Sequence, residues 1–179
     1  MTILNEMNKP KLFESGGFKA LLDCGYWHNR WLETALKYLP EDLLEENGEE
    51  LLFASTATRD ACRVARRYCQ TREIVLISER ILPGTNICYE TDPKARYFIY
   101  VVLHEVAHAI RKHKSPLLDD LTDEECKTQE KEADELAMKW FNDHIAKPNS
   151  VHLLPITKEE IKEAQEKNQV IMKKFMDGI

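Results

Sequence analysis

Two histidines and a glutamate occur close together in the segment VVLHEVAHAIRKH, residues 101–113. His104 and His108 are four residues apart, so on a helix they share one face with Cβ atoms about 5–6 Å apart. Two imidazole nitrogens placed in this way can bind one Zn²⁺. Glu105 is offset from His104 by about 100° around the helix, from where its carboxylate can reach a water bound to the metal. The H-E-x-x-H spacing therefore favours metal-dependent hydrolysis.

The same histidines also allow a purely structural interpretation. Phe98, Val101 and Val102 make the surrounding segment apolar enough to be buried. Because buried polar groups need hydrogen-bond partners, His104 and His108 could bond to backbone carbonyls in the core instead of to a metal. We favour the metal site, since the H-E-x-x-H pattern rarely arises by chance in a chain of this length.

Signals at both ends of the segment predict the helix that the motif needs. Asp92 is a suitable N-cap residue, and Pro93 is a suitable first helical residue. Pro116 prevents the helix from continuing. We therefore predict a helix from about Lys94 to Lys112.

A catalytic zinc ion needs a third protein ligand and an open fourth position. The metzincin pattern H-E-x-x-H-x-x-G-x-x-H would require glycine at position 111 and histidine at position 114, but the chain has Arg111 and Lys114. His113 is out of register for this pattern, and no glycine lets the helix turn back. The third ligand is therefore expected farther along the chain.

The acidic segment QEKEADELA, residues 129–137, is the candidate source of that ligand. Glu130 and Asp134 are four residues apart, and on a helix they share a face with Ala133 and Ala137. These small side chains would let two helices approach closely, as a metal shared between helices requires. Glu132 lies about 200° around the helix from Glu130, so we expect it to be solvated.

Capping boxes predict where two further helices begin. Thr122–Glu125 opens the acidic helix, which we expect to extend to about His144. Thr157–Glu160 opens a last helix. The apolar residues between positions 61 and 69 also have helical spacing, with arginines on the other side as an expected solvated face.

The complete pattern predicts an α+β fold: a mostly helical single domain with a small sheet of about three strands. The predicted strands are LLFAS (51–55), EIVLIS (73–78) and NICYET (86–91). We expect one domain over residues 1–179, with a helical N-terminal cover over 1–50, a catalytic core over 51–145 and a C-terminal helix over 157–177.

H-E-x-x-H followed by E-x-x-x-D on a later helix resembles the gluzincin metallopeptidases. Over roughly residues 73–141 the chain is similar to the compact members of that group, which include phage and prophage peptidases that cleave repressors and the SprT-like proteins. SprT-like proteins continue into a zinc ribbon, for which this chain lacks the cysteine pairs. The resemblance implies a zincin-like fold in which the motif helix packs against a second helix that carries a glutamate ligand.

The resemblance also implies roles for individual residues. His104, His108 and Glu130 would hold Zn²⁺, Glu105 would act as general base, and Asp134 would orient a histidine ligand. The substrate would be a protein or peptide, bound in extended form along an edge strand, either EIVLIS or NICYET.

The transition state of peptide hydrolysis would need a further donor for its oxyanion. The candidates are His113, Tyr97, Tyr100, His144 and His152, and the sequence does not choose among them.

Composition limits the remaining function classes. A net charge of −6 argues weakly against nucleic acid as the main partner. The N-terminal residues have no basic region followed by an apolar stretch, and the five cysteines contain no C-x-x-C pair. We therefore expect a cytoplasmic protein with no membrane partner. Two alternatives stay open: a zinc-binding interaction or regulatory module without turnover, and a DNA-associated protein of SprT-like type that uses the arginines of residues 59–72.

Overall fold

The computed structural model describes residues 10–15, 18–46, 50–56, 60–65, 72–87, 89–115, 118–148 and 153–176. These residues form an α+β domain with five helices and one mixed sheet of five strands. The strands are β1 (Lys11–Ser15), β2 (Phe18–Asp23), β3 (Glu50–Thr56), β4 (Ala61–Val64) and β5 (Glu73–Ser78). The helices are α1 (Tyr26–Leu36), α2 (Glu41–Glu46), α3 (Pro93–Ile110), α4 (Asp123–Ile145) and α5 (Lys158–Met176).

The sheet is larger than the sequence predicts. Its strand order is β1-β2-β3-β5-β4, with β2, β3 and β5 parallel and both edge strands antiparallel to their neighbours. Two of the extra strands, β1 and β2, lie within the first fifty residues, where only helix was expected. Side chains of β2 alternate between buried and more exposed positions, and its buried members Phe18 and Leu22 belong to the core.

The prediction of a helix over residues 61–69 was wrong for the described part of that segment, since Ala61–Val64 forms edge strand β4. Arg63 is also not on a solvated face. Its side chain is 4% exposed, and its Nη1 lies 2.7 Å from Oε2 of Glu73 on the neighbouring strand. The buried ion pair and the pairing with β5 outweigh a helical spacing that local pattern alone had suggested. Residues 66–71 lie outside the described residues.

The other strand predictions had mixed outcomes. LLFAS lies within β3, and EIVLIS forms β5, so both were confirmed as strands. NICYET is not a strand in its described residues, which form turns before α3, and Cys88 lies outside them. β5 is flanked by β3 and β4 and is therefore not an edge of the sheet. Among the predicted strands, neither EIVLIS nor NICYET can thus serve as the substrate-binding edge.

The motif helix α3 begins as its capping residues predict. The Asp92 side chain accepts a hydrogen bond from the backbone N–H of Lys94 at 2.8 Å, and Pro93 is the first helical residue. Most of α3 is buried, because it packs against α1, α4 and the β4 and β5 strands. The motif is therefore on a helix whose orientation is fixed from several sides.

Helix α4 is the main partner of α3. The predicted capping box is present, with Thr122 accepting from the backbone N–H of Glu125 and the Glu125 carboxylate accepting from the backbone N–H of Thr122. Ala133 and Ala137 are fully buried, as expected for the face that meets α3. None of the helices formed by the described residues is long and apolar enough to cross a membrane.

The predicted capping box of α5 is only half formed, because its glutamate makes a salt bridge to α3 instead. Thr157 accepts a hydrogen bond from the backbone N–H of Glu160 at 3.1 Å, which is one half of the predicted box. The Glu160 carboxylate instead accepts two hydrogen bonds from Arg96 of α3, at 2.6 and 3.0 Å. The Arg96 side chain is only 7% exposed, so this bidentate contact defines where α5 begins on the body of the protein.

A larger side chain between α3 and α4 should destabilise the fold. We expect Ala133→Leu to lower the free energy of unfolding by about 1–3 kcal/mol, because added methyl groups have no space at a fully buried contact. Glu135→Leu, on the exposed side of the same helix, is the matched control and should have a much smaller effect. Urea denaturation measures both. Equal losses would show that the α3–α4 contact is not tightly packed.

Candidate metal centre

Three side chains from α3 and α4 converge at one point. His104 Nε2 lies 3.0 Å from His108 Nε2 and 3.3 Å from Glu130 Oε2, and His108 Nε2 lies 3.6 Å from Glu130 Oε1. Ligands 2.0–2.1 Å from a tetrahedral zinc ion are separated from one another by roughly 3.3 Å. The separations and the donor types therefore fit, and this group could hold a metal ion.

Asp134 lies behind the first of these histidines. Its Oδ1 is 2.9 Å from Nδ1 of His104, and the Tyr100 hydroxyl donates a hydrogen bond to the same oxygen. An acceptor beside Nδ1 favours the tautomer in which Nδ1 carries the proton and Nε2 is free to bind a cation. Asp134 is thus placed to orient His104, and one helical turn of α4 separates it from Glu130.

His108 has a different neighbour behind it, which sequence reasoning missed. Nδ1 of His108 lies 2.9 Å from Nδ1 of His113, and Nε2 of His113 lies 3.1 Å from Oε2 of Glu132. Glu132 was expected to be solvated. Its side chain is 53% exposed, but one carboxylate oxygen contacts His113. The expectation of an exposed side chain is therefore met, but the contact with His113 was not anticipated, because the argument considered α4 alone and not the loop that packs against it.

The turn after α3 explains why His113 can reach His108. Lys112 has a φ of 55°, the left-handed conformation, although it is not glycine. The backbone N–H of Lys112 donates to the carbonyl of Ala109, and that of His113 donates to the carbonyl of His108, both at 3.1 Å. These two bonds form a Schellman motif, which reverses the chain at the helix end. The helix therefore turns back without the glycine that the sequence argument required.

In the absence of a metal, the pKa values of the two histidines shift in opposite directions. Burial of His104 lowers its pKa, but Asp134 and Glu130 outweigh this effect and raise the pKa to about 10. Burial lowers the pKa of His108, and the charge of His104 lowers it further. The neighbouring imidazole also lowers the pKa of Glu130. A cation entering this group would therefore displace a proton from His104.

Glu105, the glutamate of the motif, lies in a nearly enclosed position. It is 8% exposed, and burial raises the pKa of its carboxyl to about 7, with the charge of His104 opposing the shift. A carboxyl with this pKa can accept and release a proton near neutral pH. Glu105 also lines the same cleft as His104, so its position and its proton affinity are both suited to acid–base chemistry.

The cleft next to this group has a volume of about 610 Å³. It is lined by residues of four segments: the start of β4, α3, α4 and the amide-bearing face of α5. The lining residues are Asp60, Ala61, Tyr97, Tyr100, Val101, His104, Glu105, Glu130, Asp134, Gln165, Asn168 and Gln169. Its volume lies in the range of ligand sites, and its lining combines apolar and polar groups.

Of the five candidates for an oxyanion donor, two line this cleft. Tyr97 and Tyr100 line it, with the Tyr97 hydroxyl donating to Asp60 at 2.8 Å. His113 lies behind His108 and is not part of the lining, and His144 stacks on Tyr38 with the ring centres 4.0 Å apart. His152 lies outside the described residues.

Comparison with known proteins gives one match. The family model described as Peptidase U49 matches residues 97–168, fewer than half of the 179 residues. No curated protein and no solved structure matches the chain. The matched segment contains His104, Glu105, His108, Glu130 and Asp134 and ends within α5, and it supports a peptidase family.

Removing both histidine donors should remove bound metal. We expect the purified protein to hold about one divalent ion per chain, because the donor set resembles a three-ligand site. The double variant His104→Ala/His108→Ala should fall to background, whereas His144→Ala should retain the metal. Elemental analysis by mass spectrometry measures the content. Equal metal content in the double variant and the unaltered protein would exclude this site.

Proposed function

We propose that this protein is a zinc-dependent peptidase of the gluzincin type. The observation that carries the proposal is that His104, Glu105 and Glu130 line one cleft while His108 completes the donor set. The match to a peptidase family over the same segment supports it. Two imidazoles and one carboxylate form a donor set that suits Zn²⁺ and leaves a fourth position for water and substrate.

The residues divide the work of hydrolysis between binding and proton transfer. When bound, zinc supplies a Lewis acid that polarises the scissile carbonyl and acidifies the attacking water. His104, His108 and Glu130 would hold the ion, and Asp134, whose Oδ1 lies 2.9 Å from Nδ1 of His104, would favour the tautomer with the proton on Nδ1. Glu105 takes the proton of the attacking water and delivers it to the leaving amine.

The buried position of Glu105 supports this role. Its raised pKa in the absence of metal means that the carboxyl holds a proton readily once the reaction generates one. A cation nearby would lower that pKa, so Glu105 would be ionised and able to take the proton of the water as the water attacks the carbonyl. The same group can therefore accept a proton and release it within one cycle.

Edge strand β4 is the place where an extended substrate can bind. The carbonyl of Asp60 accepts from the backbone N–H of Ser78 at 2.8 Å, so alternation along β4 directs the backbone groups of Ala61 away from β5. Ala61 also lines the cleft that contains His104 and Glu105. A peptide that pairs with β4 would thus pass directly in front of these two residues.

Replacing the proposed base should separate metal binding from catalysis. We expect Glu105→Gln to retain one zinc ion per chain but to lower peptide cleavage by a factor of about 100 or more, because the amide cannot accept the proton. The assay incubates each protein with a peptide library made from a tryptic digest and counts new termini by mass spectrometry. Glu135→Gln is the matched control. If the zinc-loaded unaltered protein creates no termini, the chain is a binding module without turnover.

A proline in the edge strand should weaken substrate binding without affecting the metal. Ala61→Pro removes the outward N–H that would pair with the substrate, and we expect kcat/KM for a cleaved library peptide to fall about tenfold. Ala61→Ser keeps this N–H and serves as the control. Zinc content should be equal in both variants. If both retain full kcat/KM, the substrate does not pair with β4.

A further inference from the structure

We propose that His113 and Glu132 act together as positioning residues for His108, through a hydrogen-bond chain that extends from the metal site to the surface. This inference rests on the proposed function, since it concerns how one of the zinc ligands is held. It adds two residues that are outside the H-E-x-x-H motif and its glutamate partner. Neither residue touches the substrate cleft, so both would act through His108.

The chemistry of neutral imidazole fixes the direction of each hydrogen bond in the chain. When His108 binds a cation through Nε2, its proton must be on Nδ1. That proton is then donated to Nδ1 of His113, 2.9 Å away, which must be unprotonated to accept it. His113 therefore carries its own proton on Nε2 and donates it to Oε2 of Glu132 at 3.1 Å. The Glu132 carboxylate accepts this bond and, being half-exposed, also contacts solvent.

Two backbone features fix the position of His113: the turn at Lys112 and a hydrogen bond from Arg63 to the His113 carbonyl. The left-handed Lys112 turn returns the backbone so that the two imidazoles meet. The buried Arg63 of β4 donates a hydrogen bond from Nη2 to the carbonyl of His113 and is itself paired with Glu73. His113 is 8% exposed, so its ring cannot turn freely into solvent. The backbone contacts thus fix the loop, and the His113 side chain is left to contact His108.

The arrangement gives both histidine ligands an acceptor of the same kind. Nδ1 of His104 lies 2.9 Å from a carboxylate oxygen, that of Asp134. His108 is deeper, and no carboxylate of α4 reaches its Nδ1 directly, so His113 bridges the distance to Glu132. His113 is not itself a ligand, because both of its ring nitrogens are engaged and it is not in the group of donors that meet at one point.

The test compares two substitutions that differ in one hydrogen-bond acceptor. His113→Phe keeps a ring but has no acceptor, whereas His113→Asn can place its amide oxygen near the former Nδ1 position. We expect His113→Phe to weaken zinc binding by about 10–100-fold, measured by competition with a chromophoric chelator, and His113→Asn to recover most of that loss. The Co²⁺-substituted proteins should follow the same order, with a changed visible absorption spectrum only in His113→Phe.

A second pair of variants tests the outer end of the chain without altering a buried residue. Glu132→Ala removes the last acceptor and should weaken zinc binding by a smaller factor, about 3–10-fold, since water can partly replace it. Glu135→Ala, also exposed and on the same helix, should leave zinc binding unchanged. Circular dichroism confirms that each variant is folded before its affinity is compared.

The outcomes separate this inference from the proposed function. Unchanged zinc affinity and an unchanged Co²⁺ spectrum in His113→Phe would overturn the positioning role, while loss of zinc in His104→Ala would leave the peptidase proposal standing. Equal weakening by phenylalanine and asparagine would also overturn it, because packing and not hydrogen bonding would then be the cause. If the unaltered protein binds neither Zn²⁺ nor Co²⁺, both proposals fail together.

Discussion

The close packing of α3 against α4 is the constraint on which the site depends. The candidate ligands come from both helices, and the separations among their donor atoms of 3.0–3.6 Å leave little tolerance for movement. Ala133 and Ala137 keep the helix axes close enough for Glu130 to reach the two imidazoles. A large side chain at Ala133 would displace the Glu130 carboxylate as well as the helix, because the two residues are three apart and share one face of α4.

Two buried arginines stabilise the position of α3 along its own axis. Near its start, Arg96 binds Glu160 of α5, and beyond its end, Arg63 binds the carbonyl of His113. Buried ion pairs contribute little net stability, because removing both charges from water is costly. They do, however, allow few alternative positions for the groups they join. In this protein they connect the motif helix to β4 on one side and to α5 on the other, which are two walls of the cleft.

The features that depend on local chemistry could be predicted from the sequence. Asp92, Pro93 and the capping box at Thr122 define where α3 and α4 begin, and the spacing of His104 and His108 on a helix brings their nitrogens together. It also indicated Glu130 and Asp134 as neighbours on one face. These inferences need only the geometry of one helix at a time.

The features that depend on contacts between residues far apart in the chain could not be predicted from the sequence. β4 has helical apolar spacing, and only its pairing with β5 and the Arg63–Glu73 contact make it a strand. β1 and β2 were missed because the apolar residues of that region were assigned to helix as a whole. His113 was set aside as a metal ligand and kept only as a candidate oxyanion donor, because it does not fit the register of a known ligand pattern. The left-handed Lys112 could not be anticipated without a glycine. A histidine five residues after the motif, at a helix end, was the signal available.

The amide-bearing face of α5 is a place where substrate selectivity can be changed. Gln165, Asn168 and Gln169 form one side of the cleft, yet they are far in the sequence from every candidate metal ligand. Substitutions at these three positions can therefore reshape the groove for different peptide side chains while the ion-binding group stays intact. A library randomised only on this helix would be a practical way to engineer variants with new cleavage preferences.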